Sequence, residues 1–600
     1  MLMKTDRIIL LFSLFFLGIG SQVFSNDLPN GGKAFVNETM LVPDKLQVRH
    51  GGGKFGSSRF LTGTNEAFGR SLELKVTKRP PNTWDVGFRA QTTSPIKKGD
   101  HLVVGFWARG QSADASGGGV AELVFERHGA PYTKSIQYLV ETPVSGEWKH
   151  YWVRLRSLED YEPGQAVINF QAGYTECTFE IGGIEAWNFA RRVKFDQLPH
   201  TALTYVGREL DAPWRAEAER RIERHRKADL LVTVVDAAGR PKPGAPVHVR
   251  LDRLAFDFGT AVGVSTLLEE GADADRYRQT LKAHFNLSVI ENGLKWKHWD
   301  AYPSNQRKAI KALQWLKENR IPVRGHVMVW PGYRYLPPWI KALEKQPKVL
   351  RGAIDTHIRE VGYATREFVR DWDVLNEVYD NRDLTNALGD EEMVHWFRVA
   401  RQVAPNAKRY YNDYAGLVRG GFPTGHKDHF EKTIRYLIDN KAPLDGIGIQ
   451  GHFGSLLTTP NRLNSELDRW AAFKKGILIT EFDVTVPDAK LRADFTRDFM
   501  TVCFSHPAVK GIVTWGFWAG AQWRPESAFF DKNWNVTPMG AEWIKLTKAW
   551  RTDEKLITDA NGQVKLKAFL GDYTVISGDS RKTFNHQEPG SQIRLPLSSK

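Results

Sequence analysis

The stretch DWDVLNEVYD, residues 371–380, joins a buried-strand pattern to two chemically active side chains. Val374 and Leu375 end an apolar run, and Asn376 and Glu377 follow at once. A core strand that ends in an amide and a carboxylate is typical of a strand that opens into a functional site. The stretch therefore predicts a strand that delivers Glu377 to such a site, and the surrounding sequence decides which fold holds it.

Segments of the same kind surround this stretch on both sides. Each is a short apolar run that ends in polar or aromatic residues, and helical patterns such as RKAIKALQWLKENR separate most of them. The eight candidate strands are FDFGTAVG, NLSVIENG, IPVRGHVMVW, WDVLNE, RYYND, DGIGIQGH, ILITEFD and GIVTWGF. This order predicts an α/β domain, a (β/α)8 TIM barrel at residues 256–550, whose active site lies where the carboxyl ends of the strands converge.

A second carboxylate, Glu481, closes the apolar run ILITEFD three strands after Glu377. Two carboxylates at the same end of a barrel can face each other across a substrate. This arrangement suits cleavage of a glycosidic bond, with one group as proton donor and the other as nucleophile or base. An ion pair at a strand end would explain either glutamate alone, but two such glutamates among polar neighbours favour the catalytic interpretation.

Supporting side chains follow the same strand ends. Asn376 is expected to hydrogen-bond the substrate hydroxyl next to the reacting carbon. His452 is expected to keep the second carboxylate ionised, and Asp483 to orient that imidazole. Trp515 and Trp523 are expected to form an apolar wall that stacks on sugar faces. The first carboxylate has to stay protonated until it reacts, so it needs a less charged and partly desolvated setting.

Residues 34–190 are predicted to form a β-sandwich of the jelly-roll type. Short alternating segments are separated there by Gly, Pro, Asn and Ser. Trp84 sits in the loop-like segment RPPNTW and is a candidate platform for stacking on a sugar. Trp107, Trp148 and Trp152 lie in strand patterns, so we expect them in the core.

Shorter segments flank the predicted barrel. Residues 200–228 predict an exposed helical connector that Asp211 caps and that has Pro213 in its first turn. Small β segments are predicted at residues 229–255 and 553–600, and both contain a D-A-x-G turn. We expect these two segments to pack together beside the barrel.

The N-terminal sequence predicts that the protein is exported from the cytoplasm. Lys4 and Arg7 precede an apolar run at residues 8–20, the pattern of a signal peptide over residues 1–25. Cleavage is expected near Ser25, which makes the mature protein extracellular or periplasmic. The run is too short for a stable membrane span, and no later run in the sequence approaches the required length.

The composition, the cysteines and the net charge limit the number of domains and the possible partners and cofactors. The 600 residues, 42% of them hydrophobic and 25% charged, are enough for two or three folded units. Cys177 and Cys503 are expected to be buried free thiols in different domains. The net charge of +14 is diffuse, which suits anionic polysaccharide or cell-surface material better than nucleic acid, and an ordinary solvated surface would explain it as well. No Gly-rich phosphate loop follows a strand, so we expect no nucleotide cofactor, and glycosidic cleavage needs neither metal nor redox cofactor. The chain is expected to act as a monomer.

Several motifs within residues 257–550 occur in a fixed order. They are ENGLKW at 291–296, RGHVMVW at 324–330, WDVLNE at 372–377, YYND at 410–413, DGIGIQGH at 445–452, TEFD at 480–483 and WGFWAGAQWR at 515–524. This set resembles glycoside hydrolase family 10, whose main activity is endo-1,4-β-xylanase. The resemblance implies an enzyme that cleaves xylan or a related plant cell-wall polysaccharide with retention, with Glu377 as acid/base and Glu481 as nucleophile, and the predicted signal peptide makes it a secreted one. It further implies sugar-binding positions at Glu291, Asn292, Lys295, His326, Trp330, Asn376, Gln450, His452, Trp515 and Trp523.

Three positions depart from the family pattern. Pro331 stands where a His usually follows RGHVMVW, Ala519 where an acidic residue is common, and Leu294 where Met is usual. These changes spare both carboxylates and bear on substrate preference. Two alternatives stay open: a family member that acts on another β-linked glycan, and a non-catalytic glycan-binding protein. The N-terminal segments RPPNTWDVGF, GDHLVVGFWARG and GEWKHYWVRL resemble the jelly-roll carbohydrate-binding modules that often accompany such enzymes. A structural spacer that has lost glycan binding is the open alternative for this domain.

Overall fold

The structure is a computed structural model, and it describes residues 28–36, 45–63, 66, 68–112, 117–587 and 590–597. The chain divides into one compact unit up to Ala202 and another from Leu203 onward. Cys177 and Cys503 fall in different units, and both are free and buried, as predicted. The predicted signal peptide lies outside the described residues. No helix within the described ranges is both long and apolar enough to cross a membrane.

The described part of the first unit is an antiparallel β-sandwich. Its strands are β1 (Lys33–Val36), β2 (Gln47–His50), β3 (Gly56–Thr62), β4 (Arg70–Val76), β5 (Val86–Gln91), β6 (His101–Ser112), β7 (Val120–Arg127), β8 (Lys134–Glu141), β9 (Lys149–Arg156), β10 (Ala166–Gln171) and β11 (Cys177–Asn188). One sheet has the order β3-β4-β11-β6-β9, with β1 added to β11, and the other has the order β2-β5-β10-β7-β8. Apolar side chains of both sheets form one core, which confirms the prediction of a β-rich N-terminal region.

Trp107 and Trp148 lie outside the sandwich core, so the prediction for these two residues was wrong. Phe106 points into the core from β6, and the two-residue period of a strand turns the next side chain, Trp107, to the outer face. The Trp107 ring stacks there on His150, with 4.8 Å between ring centroids. Trp148 precedes β9 and is half-buried, whereas Trp152 within β9 is buried in a smaller apolar cluster with Val103, Phe189 and Leu198.

The second unit alternates strands and helices before it returns to β structure. Its strands are β12 (Lys227–Val235), β13 (Pro246–Leu254), β14 (Asp257–Val262), β15 (Leu287–Ile290), β16 (Val323–Gly325), β17 (Val369–Asn376), β18 (Lys408–Asp413), β19 (Gly446–Ile449), β20 (His452–Phe453), β21 (Gly476–Val484), β22 (Val509–Thr514), β23 (Asp553–Ile557), β24 (Gln563–Phe569), β25 (Gly571–Ser577), β26 (Ser580–His586) and β27 (Ser591–Pro596). Its helices are α1 (Pro213–His225), α2 (Val264–Leu268), α3 (Ala272–His284), α4 (Trp296–Trp299), α5 (Pro303–Glu318), α6 (Pro338–Lys341), α7 (Pro347–Thr365), α8 (Asp383–Leu388), α9 (Glu391–Val403), α10 (Gly425–Asp439), α11 (Pro460–Ala471), α12 (Ala489–Ser505) and α13 (Pro538–Ala549).

Eight parallel strands close a barrel within residues 117–587, a range that the structure describes without a gap. The order is β14-β15-β16-β17-β18-β19-β21-β22, and β22 pairs back onto β14. The predicted (β/α)8 TIM barrel is therefore confirmed. All eight carboxyl ends open on one face of a parallel barrel, so side chains that follow different strands converge there.

Helix α1 is not the exposed connector that the sequence predicted. Trp214, Ala218 and Ile222 are buried along one face of α1, in the same apolar core as the barrel. Pro213 occupies the first turn as predicted, but the N-cap is Ala212, which has no capping side chain. A preceding turn, in which the Ala212 N–H donates to the Glu209 carbonyl at 3.2 Å, starts the helix one residue later than the predicted Asp211 cap.

The two small β segments pack together, as predicted. Strand β12 lies between β24 and β27, and β13 lies between β23 and β25. Val232 of β12 and Val249 of β13 belong to the same core cluster as the barrel residues. The flanking strands are therefore continuous with the hydrophobic core of the barrel.

Candidate functional site

Glu377 and Glu481 are linked across the barrel face by one shared residue, although β18 and β19 lie between their strands. Glu377 directly follows β17 with a left-handed backbone, φ 52°, and Glu481 lies within β21 with 5% of its surface exposed. Gln450, which follows β19, accepts a hydrogen bond from the Glu481 N–H at 2.8 Å. The Gln450 side chain donates to Glu377 Oε1 at 2.7 Å. The two carboxylates are thus tied to a single amide residue.

Asn412, at the end of β18, forms a second link in this network. Its Nδ2 donates to Glu481 Oε1 and to Asn376 Oδ1, both at 2.9 Å. Thr480 donates to Asn412 Oδ1 at 2.6 Å and fixes the orientation of this amide. The buried Nδ2 of Asn376 has no acceptor among the described residues, so this donor is available to a ligand. Asn412 lies in the YYND motif but was not predicted as a site residue; its position at a strand end was the available signal.

His452 lies between Glu481 and the carboxylate of Asp483. Its Nε2 lies 3.3 Å from Glu481 Oε2, and its Nδ1 lies 2.8 Å from Asp483 Oδ2. Asp483 also accepts hydrogen bonds from Trp523 Nε1 at 3.1 Å and from Arg524 Nη1 at 2.9 Å. These contacts place the imidazole between two carboxylates, in the geometry expected from the sequence.

The two candidate carboxyl groups have pKa values shifted in opposite directions. The pKa of Glu377 is raised to about 7: burial is the main cause, the Gln450 hydrogen bond opposes it, and the negative charge of Glu481 adds to it. Burial alone would raise the pKa of Glu481, but the His452 hydrogen bond and nearby positive charges lower it. The pKa of His452 rises to about 9 against the effect of burial, because Asp483 and Glu481 accept its hydrogen bonds. Just below neutral pH, one carboxyl group therefore holds a proton and the other is ionised.

Lys295 and Trp330 form another wall of the candidate site. Lys295 Nζ donates to Asn292 Oδ1 at 2.8 Å and lies 5.5 Å from the centre of the Trp330 ring. Burial lowers the pKa of Lys295, and the negative charges of the two candidate carboxylates and of half-buried Glu291 oppose that shift. Trp330 stacks on Tyr335 at 3.5 Å between centroids, a contact that the sequence did not reveal.

The remaining aromatic residues lie against two different histidines. Trp515 is 6% exposed and meets His326 edge-on at 5.3 Å, and the His326 Nδ1 lies 2.9 Å from Asp373 Oδ2. Trp523 is 49% exposed and contacts His452 at 5.1 Å between ring centroids. The two tryptophans predicted to form one wall therefore line the site at separate histidines. Asp373, which orients His326, was not predicted as a site residue.

The departures from the family pattern lie in the loops of the barrel face. The Pro331 carbonyl accepts a hydrogen bond from Leu384 N–H at 3.0 Å, at the start of α8. Half-buried Ala519 donates its N–H to Phe530 at 2.9 Å, and Leu294 is fully buried. These contacts involve backbone or core, and none replaces a side chain of the two-carboxylate network.

The assembled side chains fit one kind of chemistry. A protonated carboxyl group can give its proton to a leaving oxygen, while an ionised carboxylate nearby can attack or stabilise the carbon that becomes positive. The Asn376 donor, which has no partner in the part of the protein that the structure describes, suits a ligand with hydroxyl groups. The tryptophan faces suit a ligand whose rings have an apolar face. A sugar polymer has both features.

Comparisons with known proteins identify a family model and several relatives that resemble this chain. Residues 251–544 match the family model described as Glycosyl hydrolase family 10. Relatives include Anti-sigma-I factor RsgI6 of Acetivibrio thermocellus, 31% identical over 383 residues, which cover 63% of this chain and 48% of that protein. Endo-1,4-beta-xylanase 1 of Arabidopsis thaliana is 28% identical over 384 residues, 62% of this chain and 40% of that protein. The chain thus spans less than half the length of these two relatives.

A shorter relative and a solved structure match most of their own length. Endo-1,4-beta-xylanase B of Thermotoga neapolitana is 27% identical over 332 residues, which cover 52% of this chain and 93% of that protein. The crystal structure of xylanase 10B from Thermotoga petrophila RKU-1 in complex with xylobiose covers 49% of this chain and 94% of its own, with 26% identity and a TM-score of 0.45.

Proposed function

Because residues 251–544 form a glycosyl hydrolase family 10 domain, we propose that this chain is an endo-1,4-β-xylanase that hydrolyses internal linkages of xylan with retention of configuration. One observation carries the proposal. Glu377 and Glu481 share Gln450 as a neighbour, yet the pKa of Glu377 is raised to about 7 while that of Glu481 is lowered. This division of protonation states is what an acid and a nucleophile require. Relatives named as endo-1,4-beta-xylanases support the substrate.

The proposed reaction has two steps. Glu481 attacks the anomeric carbon while Glu377 gives its proton to the glycosidic oxygen, so the bond to the leaving sugar breaks and a glycosyl ester forms. Ester formation removes the negative charge of Glu481. The ionised Glu377 then takes a proton from water as that water attacks the same carbon, and the ester bond breaks to release the Glu481 carboxylate. Two inversions at one carbon give net retention.

Other side chains bind and orient the sugar in this proposal. The Asn376 Nδ2 donor contacts the hydroxyl next to the reacting carbon, where the hydrogen bond strengthens in the transition state. His452, fixed by Asp483, keeps the nucleophile ionised. The sugar-contacting set is completed by Glu291, Asn292, Lys295, His326, Trp330, Gln450, Trp515 and Trp523.

Anion rescue tests the two roles separately. Glu377→Ala should lose activity on xylan but keep the first step on an aryl xylobioside with a good leaving group, and added azide should yield the β-glycosyl azide. Glu481→Ala should be inactive until azide replaces the carboxylate, which gives the α-glycosyl azide instead. The matched control is Glu526→Gln, which alters an exposed glutamate in the loop after β22. This variant should keep full activity.

The outcomes separate the alternatives. Persistent xylan hydrolysis by Glu481→Ala would refute the assigned nucleophile. Binding of xylan without hydrolysis by the unmodified protein would favour a non-catalytic glycan-binding role. Faster initial rates on a cellulose-type or mixed-linkage β-glucan than on xylan would instead assign the chain to another β-linked glycan, the alternative that Pro331 and Ala519 raise.

We also propose that the N-terminal unit binds glycan and that the protein is exported. Trp84 is 50% exposed in the turn Thr83–Asp85, and its neighbour Thr83 donates to Gln171 at 2.9 Å, which supports a fixed stacking surface. Trp84→Ala should then reduce retention of the protein on insoluble xylan. N-terminal sequencing of protein recovered outside the cytoplasm should begin just after Ser25, and recovery of the intact N-terminus would refute export by cleavage.

A further inference from the structure

A cavity of about 600 Å³ adjoins the candidate site beyond the residues already assigned to sugar binding. Asn292, Lys295 and Trp330 line both the site and the cavity, so the two spaces are continuous. From Trp330 the cavity continues to Lys297 and Trp339. Nothing in the proposed reaction uses this outer part.

The cavity carries unpaired positive charge. Lys297 is exposed, and its Nζ contacts a backbone carbonyl, that of Arg334, at 3.4 Å. Neither Lys295 nor Lys297 forms an ion pair with any carboxylate in the part of the chain that the structure describes. Asp300 is the acidic residue among those that line the cavity, and it already accepts the Trp339 Nε1 hydrogen at 2.8 Å. Lys295 already faces the negative charges of Glu481, Glu291 and Glu377, so Lys297 supplies the positive charge of the outer wall.

The same cavity contains a rigid aromatic surface. Trp339 is 48% exposed, its indole nitrogen is fixed by Asp300, and its ring meets Trp296 edge-on at 6.3 Å. These contacts fix the Trp339 ring with one face exposed. The side chain therefore loses little conformational freedom when a ligand binds. Flat apolar faces stack on sugar rings, whereas a free inorganic anion would have no use for them.

We propose that this cavity binds an acidic side group of the glycan, a uronic acid whose ring packs on Trp339 and whose carboxylate pairs with Lys297. This inference rests on the proposed xylanase function and specifies its substrate class as an acid-substituted polymer. The net charge of +14 acts in the same direction, because it attracts a polyanionic polysaccharide at long range.

Matched substrates test the inference. They are an unsubstituted xylo-oligosaccharide, the same chain with a uronic acid side group, and that chain with the carboxyl group reduced to an alcohol. The unmodified protein should have a higher kcat/KM on the acidic chain than on the reduced one. Lys297→Gln should lower this ratio by about 2- to 5-fold, the effect of a partly exposed ion pair, and leave the rate on the unsubstituted chain unchanged.

Further variants keep the test specific. Lys297→Arg should preserve the ratio, and Lys345→Gln, an exposed lysine change outside the cavity, should not alter it. Added salt should reduce the ratio because ions screen an exposed pair. Equal rates on the acidic and reduced chains, or an unchanged ratio in Lys297→Gln, would overturn the acidic side-group site. In that case, normal hydrolysis of the unsubstituted chain would still support the proposed xylanase activity. Absence of turnover on all three substrates would overturn the proposed function itself.

Discussion

Two chemically identical side chains, Glu377 and Glu481, differ here because their neighbours differ. Glu377 is desolvated and faces the negative charge of Glu481, so its neutral form is favoured. Glu481 is more deeply buried but accepts hydrogen bonds from Asn412 and His452, so its charged form is favoured. Hydrogen-bond partners, rather than the extent of burial, therefore set the direction of the shift.

The pH dependence of kcat/KM should report this pair of groups. The proposed acid Glu377 is active when protonated, so kcat/KM should fall as pH rises above about 7. Glu481 is active when ionised and its pKa is lowered, so the acid limb should lie below the ordinary range of a glutamate. Rates on a soluble xylo-oligosaccharide between pH 3 and pH 10 would measure both limbs of the pair.

The same profile has a matched control. In Glu377→Ala, an aryl xylobioside with a good leaving group needs no proton donor in the first step, so the alkaline limb should disappear. An alkaline limb that stays near pH 7 in this variant would assign it to another group.

At the scale of elements, close packing between strands decides how the barrel strands fit. Strand β16 is only three residues long, and Gly325 lies against the ring of fully buried Trp372 on the neighbouring β17. A Cβ on Gly325 would come within 2.5 Å of that ring. The glycine is therefore required by the tryptophan beside it rather than by backbone conformation.

Gly325→Ala should destabilise the protein because the core cannot accept the extra methyl group. Overpacking of this kind costs about 1–3 kcal/mol. The matched control is Gly352→Ala in the exposed part of α7, where an added Cβ meets nothing within 4 Å. Alanine there should raise stability by about 0.5–1 kcal/mol, since glycine is the weaker helix former. Differential scanning calorimetry should give Tm shifts of opposite sign, and shifts of the same sign would contradict this packing account.

At the scale of the whole molecule, the barrel unit is completed by segments far apart in the sequence. Strands β12 and β13 precede the barrel, and β23 to β27 follow it, yet they pair with one another. Leu230, Val232, Val247 and Val249 are buried in the same core cluster as the barrel. The barrel therefore depends on the segment after residue 550 for part of its apolar cover.

Removal of residues 551–600 should unfold or precipitate the protein. Leu230, Val232, Val247 and Val249, which are among the buried aliphatic side chains of β12 and β13, would lose their partner strands, and each contributes about 1.5–3 kcal/mol when fully buried. Their sum is comparable with the whole stability of a typical domain. Soluble yield and Tm measure the effect, and a chain that ends at Leu597 is the control that should behave normally. A soluble truncated protein with an unchanged Tm would show that these strands are dispensable.

The order of strands and helices was readable from the sequence because apolar runs and helical periodicity are local patterns. The carboxylates Glu377 and Glu481 were found in the same way, since each directly follows or ends such a run. Local patterns failed where burial depends on a distant partner. Helix α1 looked exposed until its contacts with the barrel core were known, and Trp107 looked buried until the strand parity of β6 was known.

The sequence by itself determined the barrel, the two glutamates and their place at strand ends. Only the tertiary structure decided how burial and hydrogen bonds shift the two pKa values in opposite directions, the part that Asn412 plays between Asn376 and Glu481, and the cationic cavity beyond Trp330. The reason is physical. Protonation and hydrogen bonding depend on separations of a few ångströms and on exclusion of water, and these are set by residues tens of positions apart that meet only when the barrel closes.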